Sequence, residues 1–240
     1  MRKCFNYTLW NYTITSVLFS IILPVHRQEN QISGIFSDYV AALSTLSDAW
    51  ELIFVVNGSD DRSFGIVAEL AAGRPNVQVH RLEKAGWGRA VRHGISVARG
   101  TYVCYTNSAR TQLPDLLLIL KYAQTNGNVV IKASRIVRAS LFRRLGSVIY
   151  NLENRLLFRI AVMDVNGTPK VFPKIVWESL QIHSNDDLID AEAMAKCFKM
   201  RVPVLEVPVR DTARRRGRST TNLGSAFRMY FGLLRLRRKI

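Results

Sequence analysis

The side chains of this sequence that are able to do chemistry are mainly cationic, and they are unevenly distributed. The 240-residue chain has a formal net charge of +16 at neutral pH. Between Arg210 and Ile240, ten lysine and arginine side chains accompany a single acid, Asp211. Such a block attracts a polyanion, which is a nucleic acid, an anionic membrane surface or a phosphorylated ligand. A solvated basic tail without a special role is the alternative.

Apolar residues recur at helical spacing within the same segment. The repeating side chains are Leu223, Phe227, Tyr230, Phe231 and Leu234, with Arg228, Arg235 and Arg238 between them. This pattern predicts a basic amphipathic helix at residues 220–240, of the kind that lies in a membrane interface. Packing of the apolar stripe on the rest of the protein is the alternative. Because no nucleic-acid-binding signature accompanies the charge, we expect membrane contact and no bound nucleic acid.

Composition predicts one globular domain in a reducing compartment. Hydrophobic residues make up 48% of the chain and charged residues 22%, and 240 residues suffice for a buried core. The three cysteines are odd in number and lack metal-ligand spacing, so we expect no disulfide framework. The apolar run at residues 14–25 is too short to span a bilayer and lacks the features of a signal peptide. We therefore expect a cytoplasmic protein that is peripheral at the membrane.

Strand and helix patterns alternate along the chain. Strands are predicted at residues 17–25, 51–56, 77–81, 102–106, 128–132 and 202–209, and helices at 31–47, 63–72, 86–99, 114–124, 145–160 and 186–200. Residues 164–173 are predicted to form an ordered loop that leads into a further short strand. This rhythm is typical of an α/β fold with a mostly parallel sheet.

Polar residues follow three of the predicted strands. They lie at residues 26–28, 57–59 and 107–110. In open α/β sheets, ligands bind beyond the carboxyl ends of the strands. Topology alone therefore makes these three strand ends candidates for a binding site.

Five short motifs occur in order and at matching spacing. They are Ile21-Ile22-Leu23-Pro24-Val25, Phe54-Val55-Val56-Asn57-Gly58-Ser59, Gly86-Trp87-Gly88-Arg89-Ala90, Ala98-Arg99-Gly100 and Glu206-Val207-Pro208-Val209. Together they resemble the family-2 inverting glycosyltransferases, most closely the dolichyl- or polyprenyl-phosphate sugar synthases. The resemblance implies a glycosyltransferase A fold, which is Rossmann-like with helices flanking a mostly parallel central sheet. We assign residues 1–16 to an N-terminal extension, 17–219 to the glycosyltransferase-like domain and 220–240 to the C-terminal helix.

The resemblance also implies a donor site for a nucleotide sugar. In that family the first strand end and an Asp-Gly-Ser turn hold the base and ribose, and an Asp-x-Asp loop binds a metal that bridges the diphosphate. The positions that match in this sequence, and that we predict to bind the donor, are Pro24, Val25, His26, Gln28, Asn57, Ser59, Asn107, Ser108 and Ala109.

The chain departs from the family pattern at the acidic positions of this donor site. Gln28 replaces the acid after the first strand, and Asn57 replaces the acid of the turn. Asn107 and Ala109 stand at the two positions of the Asp-x-Asp motif. Amides are poor ligands for Mg²⁺ or Mn²⁺, which normally need one or two carboxylates. We therefore expect no metal of the usual kind and no other cofactor.

Two interpretations of this loss remain open. In the first, cationic side chains replace the metal, because the arginine fork matches phosphate oxygens well. The predicted phosphate-binding residues are Arg110, Arg135, Lys170, Arg215, Arg218 and Ser219, the last three within the family's Arg-x-Gly-x-Ser loop. In the second, the fold has lost catalysis and serves as a binding or regulatory subunit.

The acceptor side keeps its acids, which favours the first interpretation. Asp190 and Glu192 match the family's Asp-x-Glu motif, and with Arg135 they are our predicted catalytic residues. Residues two apart do not share a helix face, so we expect one acid in the site and one in a structural role. We therefore predict transfer of a sugar from a nucleotide sugar to a lipid-linked or glycan acceptor with inversion. The basic tail contacts an anionic membrane surface or, alternatively, an integral-membrane partner protein.

Overall fold

The computed structural model of the protein describes residues 18–137, 141–210 and 223–240. Its strands are β1 (Phe19–Val25), β2 (Trp50–Asn57), β3 (Val77–Leu82), β4 (Tyr102–Tyr105), β5 (Val130–Val137), β6 (Lys170–Pro173) and β7 (Val204–Arg210). Its helices are α1 (Ile32–Leu43), α2 (Ser63–Ala71), α3 (Trp87–Val97), α4 (Leu113–Asn126), α5 (Leu141–Phe158), α6 (Lys174–Leu180), α7 (Ile189–Lys199) and α8 (Leu223–Arg237).

The strands form one sheet in the order β3-β2-β1-β4-β6-β5-β7. Strand β6 is antiparallel to β4 and β5, and the other neighbouring strands run parallel. The prediction of an α/β fold with a mostly parallel sheet is confirmed. Because β1, β2, β4 and β5 run in the same direction, their carboxyl ends meet at one edge, which we call the carboxyl edge.

Apolar side chains cover both faces of this sheet. Ile22, Ile53 and Val55 belong to one buried cluster, while their neighbours Leu23 and Phe54 belong to the other. Alternate residues of a strand point to opposite faces, so a strand buried on both sides needs a continuous apolar run. This requirement explains why β1 and β2 show no polar alternation in the sequence.

Helix α6 is absent from our sequence-based assignment. Its β-branched residues Ile175 and Val176 follow a predicted short strand, and these residue types favour strands. The helix begins after Pro173 and buries Trp177 and Leu180, which lie one turn apart. Packing of this face against the sheet therefore overrides the local preference. Strand β5 also extends to Val137, five residues beyond the predicted end at 132, because it pairs with β7 over that length.

A buried carboxylate explains the Ala98-Arg99-Gly100 motif. Glu51 accepts hydrogen bonds from the Ser20 hydroxyl at 2.6 Å and from the backbone and side chain of Arg99 at 2.6 and 2.8 Å. Burial alone would raise the pKa of Glu51, but these hydrogen bonds outweigh it and lower the pKa. The Gly100 amide donates to Ser20 at 2.8 Å, so the motif ties α3 and β4 to β1. It lies at the amino end of β4, far from the carboxyl edge, and its role is structural.

Within the described residues, no helix has the length and apolarity to cross a membrane. Helix α8 packs against α5, where the Tyr230 hydroxyl donates to the Gly146 carbonyl at 2.9 Å. Its Leu233 and Leu236 are buried in the core, whereas Phe231 and Leu234 are exposed. Packing on the rest of the protein is therefore realised for the side of α8 that carries Leu233 and Leu236.

Candidate active site

Three loops at the carboxyl edge are joined by the Asn57 side chain. Its Nδ2 donates to the Val25 carbonyl at 2.9 Å, and its Oδ1 accepts from the Gly86 amide at 2.9 Å. The adjacent Asn57 carbonyl lies 2.8 Å from His26 Nδ1. A carboxylate at position 57 could not donate to Val25. An amide is therefore the residue type that holds β1, β2 and the start of α3 together here.

The Gly58 turn allows this close approach. Its φ is +54°, and a Cβ there would lie 2.6 Å from the Ala85 amide nitrogen. Beside it, the Ser59 hydroxyl accepts from the Arg27 amide at 2.9 Å, and the Ser63 hydroxyl accepts from the Gln28 amide at 2.8 Å. The predicted donor-binding residues of the first two strand ends thus form one continuous rim, with Pro24 and Val25 ending β1 beneath it.

The third strand end contributes amides and hydroxyls in place of acids. Ser108 donates to Gln28 Oε1 at 3.1 Å, and both side chains are buried. Asn107 Oδ1 accepts from the amide of Ala109 at 3.1 Å, and the Ala109 side chain is buried. The predicted donor-binding residues of all three strand ends therefore lie together at the carboxyl edge.

This set of residues does not fit a divalent metal of the Asp-x-Asp kind. The two positions of the motif supply one amide oxygen, which is bonded to the backbone, and one methyl group. Mg²⁺ and Mn²⁺ prefer carboxylate oxygens. Across the described ranges, no three side chains of the His, Cys, Asp or Glu type are grouped to hold a metal ion.

Two of the predicted phosphate-binding arginines line the same small cavity. Arg110, which follows the Asn107 loop, and Arg135, near the end of β5, both contribute to a cavity of about 30 Å³. Thr168 and Pro169, just before β6, form another part of its wall. Residues 110–112 of its wall directly follow the loop of Asn107 and Ala109, and Asp115 is the acid in the lining.

Asp164 holds Arg135 in a fixed orientation. Its carboxylate accepts from Arg135 Nε at 2.6 Å, from Nη2 at 2.9 Å and from the Arg135 backbone amide at 3.2 Å. Paired guanidinium–carboxylate contacts of this kind restrict the side chain to one geometry. Asp164 therefore orients the arginine.

Lys170 and Asp190 form a buried ion pair under the site. Lys170 Nζ lies 2.5 Å from Asp190 Oδ1, and the Tyr105 hydroxyl donates to the same oxygen at 2.8 Å. Burial lowers the pKa of Lys170 to about 8, although the Asp190 charge opposes this shift. The Lys170 ammonium is fully buried and serves Asp190 in this structure, which places it beneath the surface that a phosphate would contact.

Glu192 points away from Asp190, as the two-residue spacing predicted. Its carboxylate accepts from the backbone amides of His183 and Ser184 at 2.7 to 3.1 Å and from Lys196 at 2.7 Å. Burial alone would raise the pKa of Glu192, but these hydrogen bonds have the larger effect, and the pKa is lowered. The side chain therefore positions the loop before α7, and its contacts are those of a structural acid.

The sequence-based analysis missed a second buried pair next to Asp164. Lys132 Nζ lies 2.8 Å from Glu206 and donates to the Asp164 carbonyl at 2.6 Å, while Glu206 accepts from the Asp164 amide at 3.1 Å. The sequence did contain a sign of this pair, because Lys132 interrupts the apolar residues of β5 and a buried lysine needs an acidic partner. Tyr105 carried no signal, because an aromatic residue in a buried strand is ordinary. The predicted residues Arg215, Arg218 and Ser219 lie outside the described residues.

A family profile matches the larger part of this chain. The profile described as "Glycosyl transferase family 2" matches residues 20–172, which run from β1 through β6. The chain belongs to glycosyl transferase family 2. The resemblance inferred from the five motifs is therefore confirmed, and the strand ends described above are those of a family 2 domain.

Relatives of this family 2 chain include enzymes named for lipid-linked sugars. It is 26% identical over 222 residues to an undecaprenyl-phosphate 4-deoxy-4-formamido-L-arabinose transferase of Pectobacterium atrosepticum. That match covers 90% of this chain and 66% of the relative, so the chain spans just under two thirds of that protein. Glycosyltransferase AglD of Haloferax volcanii is 24% identical over 208 residues, covering 82% of this chain and 33% of the relative.

Solved structures agree with the fold. Glucosyl-3-phosphoglycerate synthase from Mycobacterium tuberculosis, in complex with Mn²⁺, UDP and glucosyl-3-phosphoglycerate, superposes with a TM-score of 0.71 at 16% identity. The superposition covers 98% of this chain and 87% of that chain. At this identity the likeness concerns the fold, and the glycosyltransferase A fold is thereby confirmed.

Proposed function

We propose that this family 2 domain transfers a sugar from a nucleotide-sugar donor to a lipid phosphate, with inversion and without an Asp-x-Asp metal. The observation that carries the proposal is the shared cavity of Arg110 and Arg135 beside Asn107. The acidic clamp is lost while two arginines remain at the same edge, and the arginine fork suits a diphosphate that carries no metal. The names of the curated relatives support the lipid phosphate as acceptor.

The proposed reaction is a single displacement. A phosphate oxygen of the acceptor attacks the anomeric carbon while the bond from that carbon to the donor diphosphate breaks, and the nucleoside diphosphate leaves with the electron pair. Arg110 and Arg135 stabilise the negative charge that develops on the leaving diphosphate. The acceptor phosphate is already anionic, so it needs no strong base. Asp190, held by Lys170 and Tyr105, orients the acceptor side of the site.

The exposed apolar side chains of α5 and α8 support a membrane-bound acceptor. Helix α5 exposes Val148, Ile149, Leu152 and Leu156 along one face, and the adjoining α8 exposes Phe231 and Leu234. Arg235 and Arg237 near the end of α8 are also exposed, and so are Arg238 and Lys239 directly after it. We propose that this apolar and basic surface, the α5–α8 face, rests on an anionic bilayer at the periphery of the membrane.

The α5–α8 face is connected to the site. Asn151 on α5 accepts from the Val165 amide at 3.0 Å, and the neighbouring Asp164 orients Arg135. Because Asn151 is buried, helix α5 would lie between a bilayer on its exposed face and the arginine that we assign to the donor phosphates. This placement suits an acceptor whose phosphate head emerges from the membrane surface.

Metal removal tests the donor proposal directly. We expect calorimetric titration with UDP, GDP and their sugars to give the same dissociation constants in EDTA and in Mn²⁺, because the arginines supply the positive charge. Binding that requires Mn²⁺ would contradict the proposal. Absence of binding in both buffers would instead favour a non-catalytic binding or regulatory subunit.

A pair of matched variants tests the membrane proposal. We expect Leu156→Glu to lower the fraction of protein that floats with phosphatidylglycerol vesicles about tenfold, since burying a leucine contributes about 1.5–3 kcal/mol. Ile175→Glu on α6 is the control, because both side chains are 74% exposed and both changes add one negative charge. Equal flotation of the two variants would exclude the α5–α8 face as the contact.

A further inference from the structure

A second basic cavity lies between α3 and α6, separate from the donor site. It has a volume of about 610 Å³, and its cationic lining consists of Arg89, Arg92 and Lys174. Trp177 and Ser96 form further parts of its wall. We call it the α3–α6 groove. Its volume is in the range of small-molecule sites, which are about 300–1,000 Å³.

The groove extends toward the edge of the sheet opposite the carboxyl edge. Lys174 Nζ donates to the Ala98 carbonyl at 2.6 Å, and the Lys174 amide donates to the Thr101 carbonyl at 2.8 Å. Both carbonyls lie at the amino end of β4. A ligand there would therefore not occupy the cavity of Arg110 and Arg135, whose side chains lie at the other edge.

Two polar groups of the groove-lining residues on α3 are buried without a hydrogen-bond partner. Within the described part of the chain, Arg89 Nε and His93 Nε2 are both buried and unbonded. Arg89 and His93 are four residues apart and so share one face of the helix. A buried polar group without a partner costs about 1–3 kcal/mol, and in native proteins it points to an unseen ligand, water or ion.

The remaining charges of the groove favour an anion. Arg92 donates to the His183 carbonyl at 3.0 Å and to Asn185 Oδ1 at 2.8 Å, contacts that leave its charge uncompensated. Glu178 is the acid in the lining, and its carboxylate lies 4.0 Å from Lys174 at the exposed rim. Three cations with one peripheral acid give a net positive field inside a concave surface, which concentrates anions.

We propose that the α3–α6 groove binds a soluble phosphorylated compound, with Arg89, Arg92 and Lys174 contacting its phosphate oxygens. Arg89 Nε is buried in the structure, so the Arg89 side chain turns toward the groove when the phosphate binds, and this nitrogen then gains the partner that it lacks. The side chain of Trp177 packs beside the phosphate, so its indole N–H resonance changes when the phosphate binds. This ligand is distinct from the sugar donor, and the proposal does not depend on catalysis.

The test is a titration of the full chain with inorganic pyrophosphate, followed through the indole N–H resonance of Trp177. We expect this resonance to shift saturably, and Arg89→Met to weaken the binding about tenfold or more. Arg135→Ala should leave the Trp177 titration unchanged, because Arg135 lies at the other edge. An unmoved Trp177 resonance, or the same midpoint in Arg89→Met, would overturn the proposal.

Further measurements test whether the Arg89 variant is folded and whether the phosphate belongs to a soluble compound or to a lipid. Arg89→Met removes an unbonded polar group, so its melting temperature should equal or exceed that of the wild type. Ser96→Asp, which adds a negative charge to the groove without touching Arg89, should weaken pyrophosphate binding as well. A Trp177 shift that requires phosphatidic acid vesicles and is absent with pyrophosphate would refute the assignment to a soluble ligand.

Discussion

Replacing Arg135 with alanine should reduce sugar transfer to a polyprenyl phosphate about 100- to 1,000-fold, because it removes a cation that we propose to contact the leaving diphosphate. The variant should also bind the nucleoside diphosphate more weakly in EDTA. Arg135→Lys should recover only part of the activity, since a lysine keeps the charge but loses the planar fork. Transfer and diphosphate affinity are the two quantities to measure.

A loss of activity in Arg135→Ala could also arise because the contact with Asp164 is lost, and variants of Asp164 distinguish the two causes. If the arginine acts only through this pair, Asp164→Asn should lower activity and the melting temperature as much as Arg135→Ala. If the arginine contacts the diphosphate, Asp164→Asn should lower the transfer less than Arg135→Ala does, because the guanidinium is still present although less firmly oriented. Arg74→Ala, which removes an exposed cation near the amino end of β3, is the control for net charge and should have no effect.

Replacing Asp190 with alanine should destabilise the protein by about 3–5 kcal/mol, because Lys170 would remain buried without its partner. Lys170 is fully buried and Asp190 nearly so, and their charged atoms lie 2.5 Å apart. The double variant Lys170→Met with Asp190→Ala should recover most of the lost stability, since replacing a buried pair by apolar residues is often neutral. Urea unfolding of the three proteins measures the difference. Equal loss in the single and double variants would show that the ion pair is not the cause.

The double variant also separates folding from function. Once folded, it should bind the donor as the wild type does but transfer the sugar about 100-fold more slowly, because nothing orients the acceptor. An unchanged rate of transfer would show that Asp190 has no role in the reaction.

The pH dependence of stability provides a check on the same pair. The pKa of Lys170 is lowered from 10.5 to about 8, so the unfolded chain binds more protons than the folded chain between these values. The contribution of Lys170 to stability therefore rises as the pH increases from about 8 to 10.5. Lys170→Met should flatten this part of the curve.

The order of strands and helices could be predicted because it depends on local patterns. The continuous apolar runs of β1 and β2 and the helical spacing of α3 are properties of neighbouring residues. The polar residues at the three strand ends could be placed at one edge for a related reason. In a parallel sheet, the end of every strand lies on the same side, whatever the detailed packing.

The partners of the charged side chains could not be read from local patterns. Arg135 and Asp164 are 29 residues apart, and Lys132 and Glu206 are 74 apart. Spacing along the chain does not say which buried cation meets which acid. That choice is made by the pairing of strands, which places Lys132 opposite Glu206 in β5 and β7 and Lys170 opposite Tyr105 in β6 and β4. Burial then favours each pairing strongly, because an isolated charge inside the protein costs several kcal/mol.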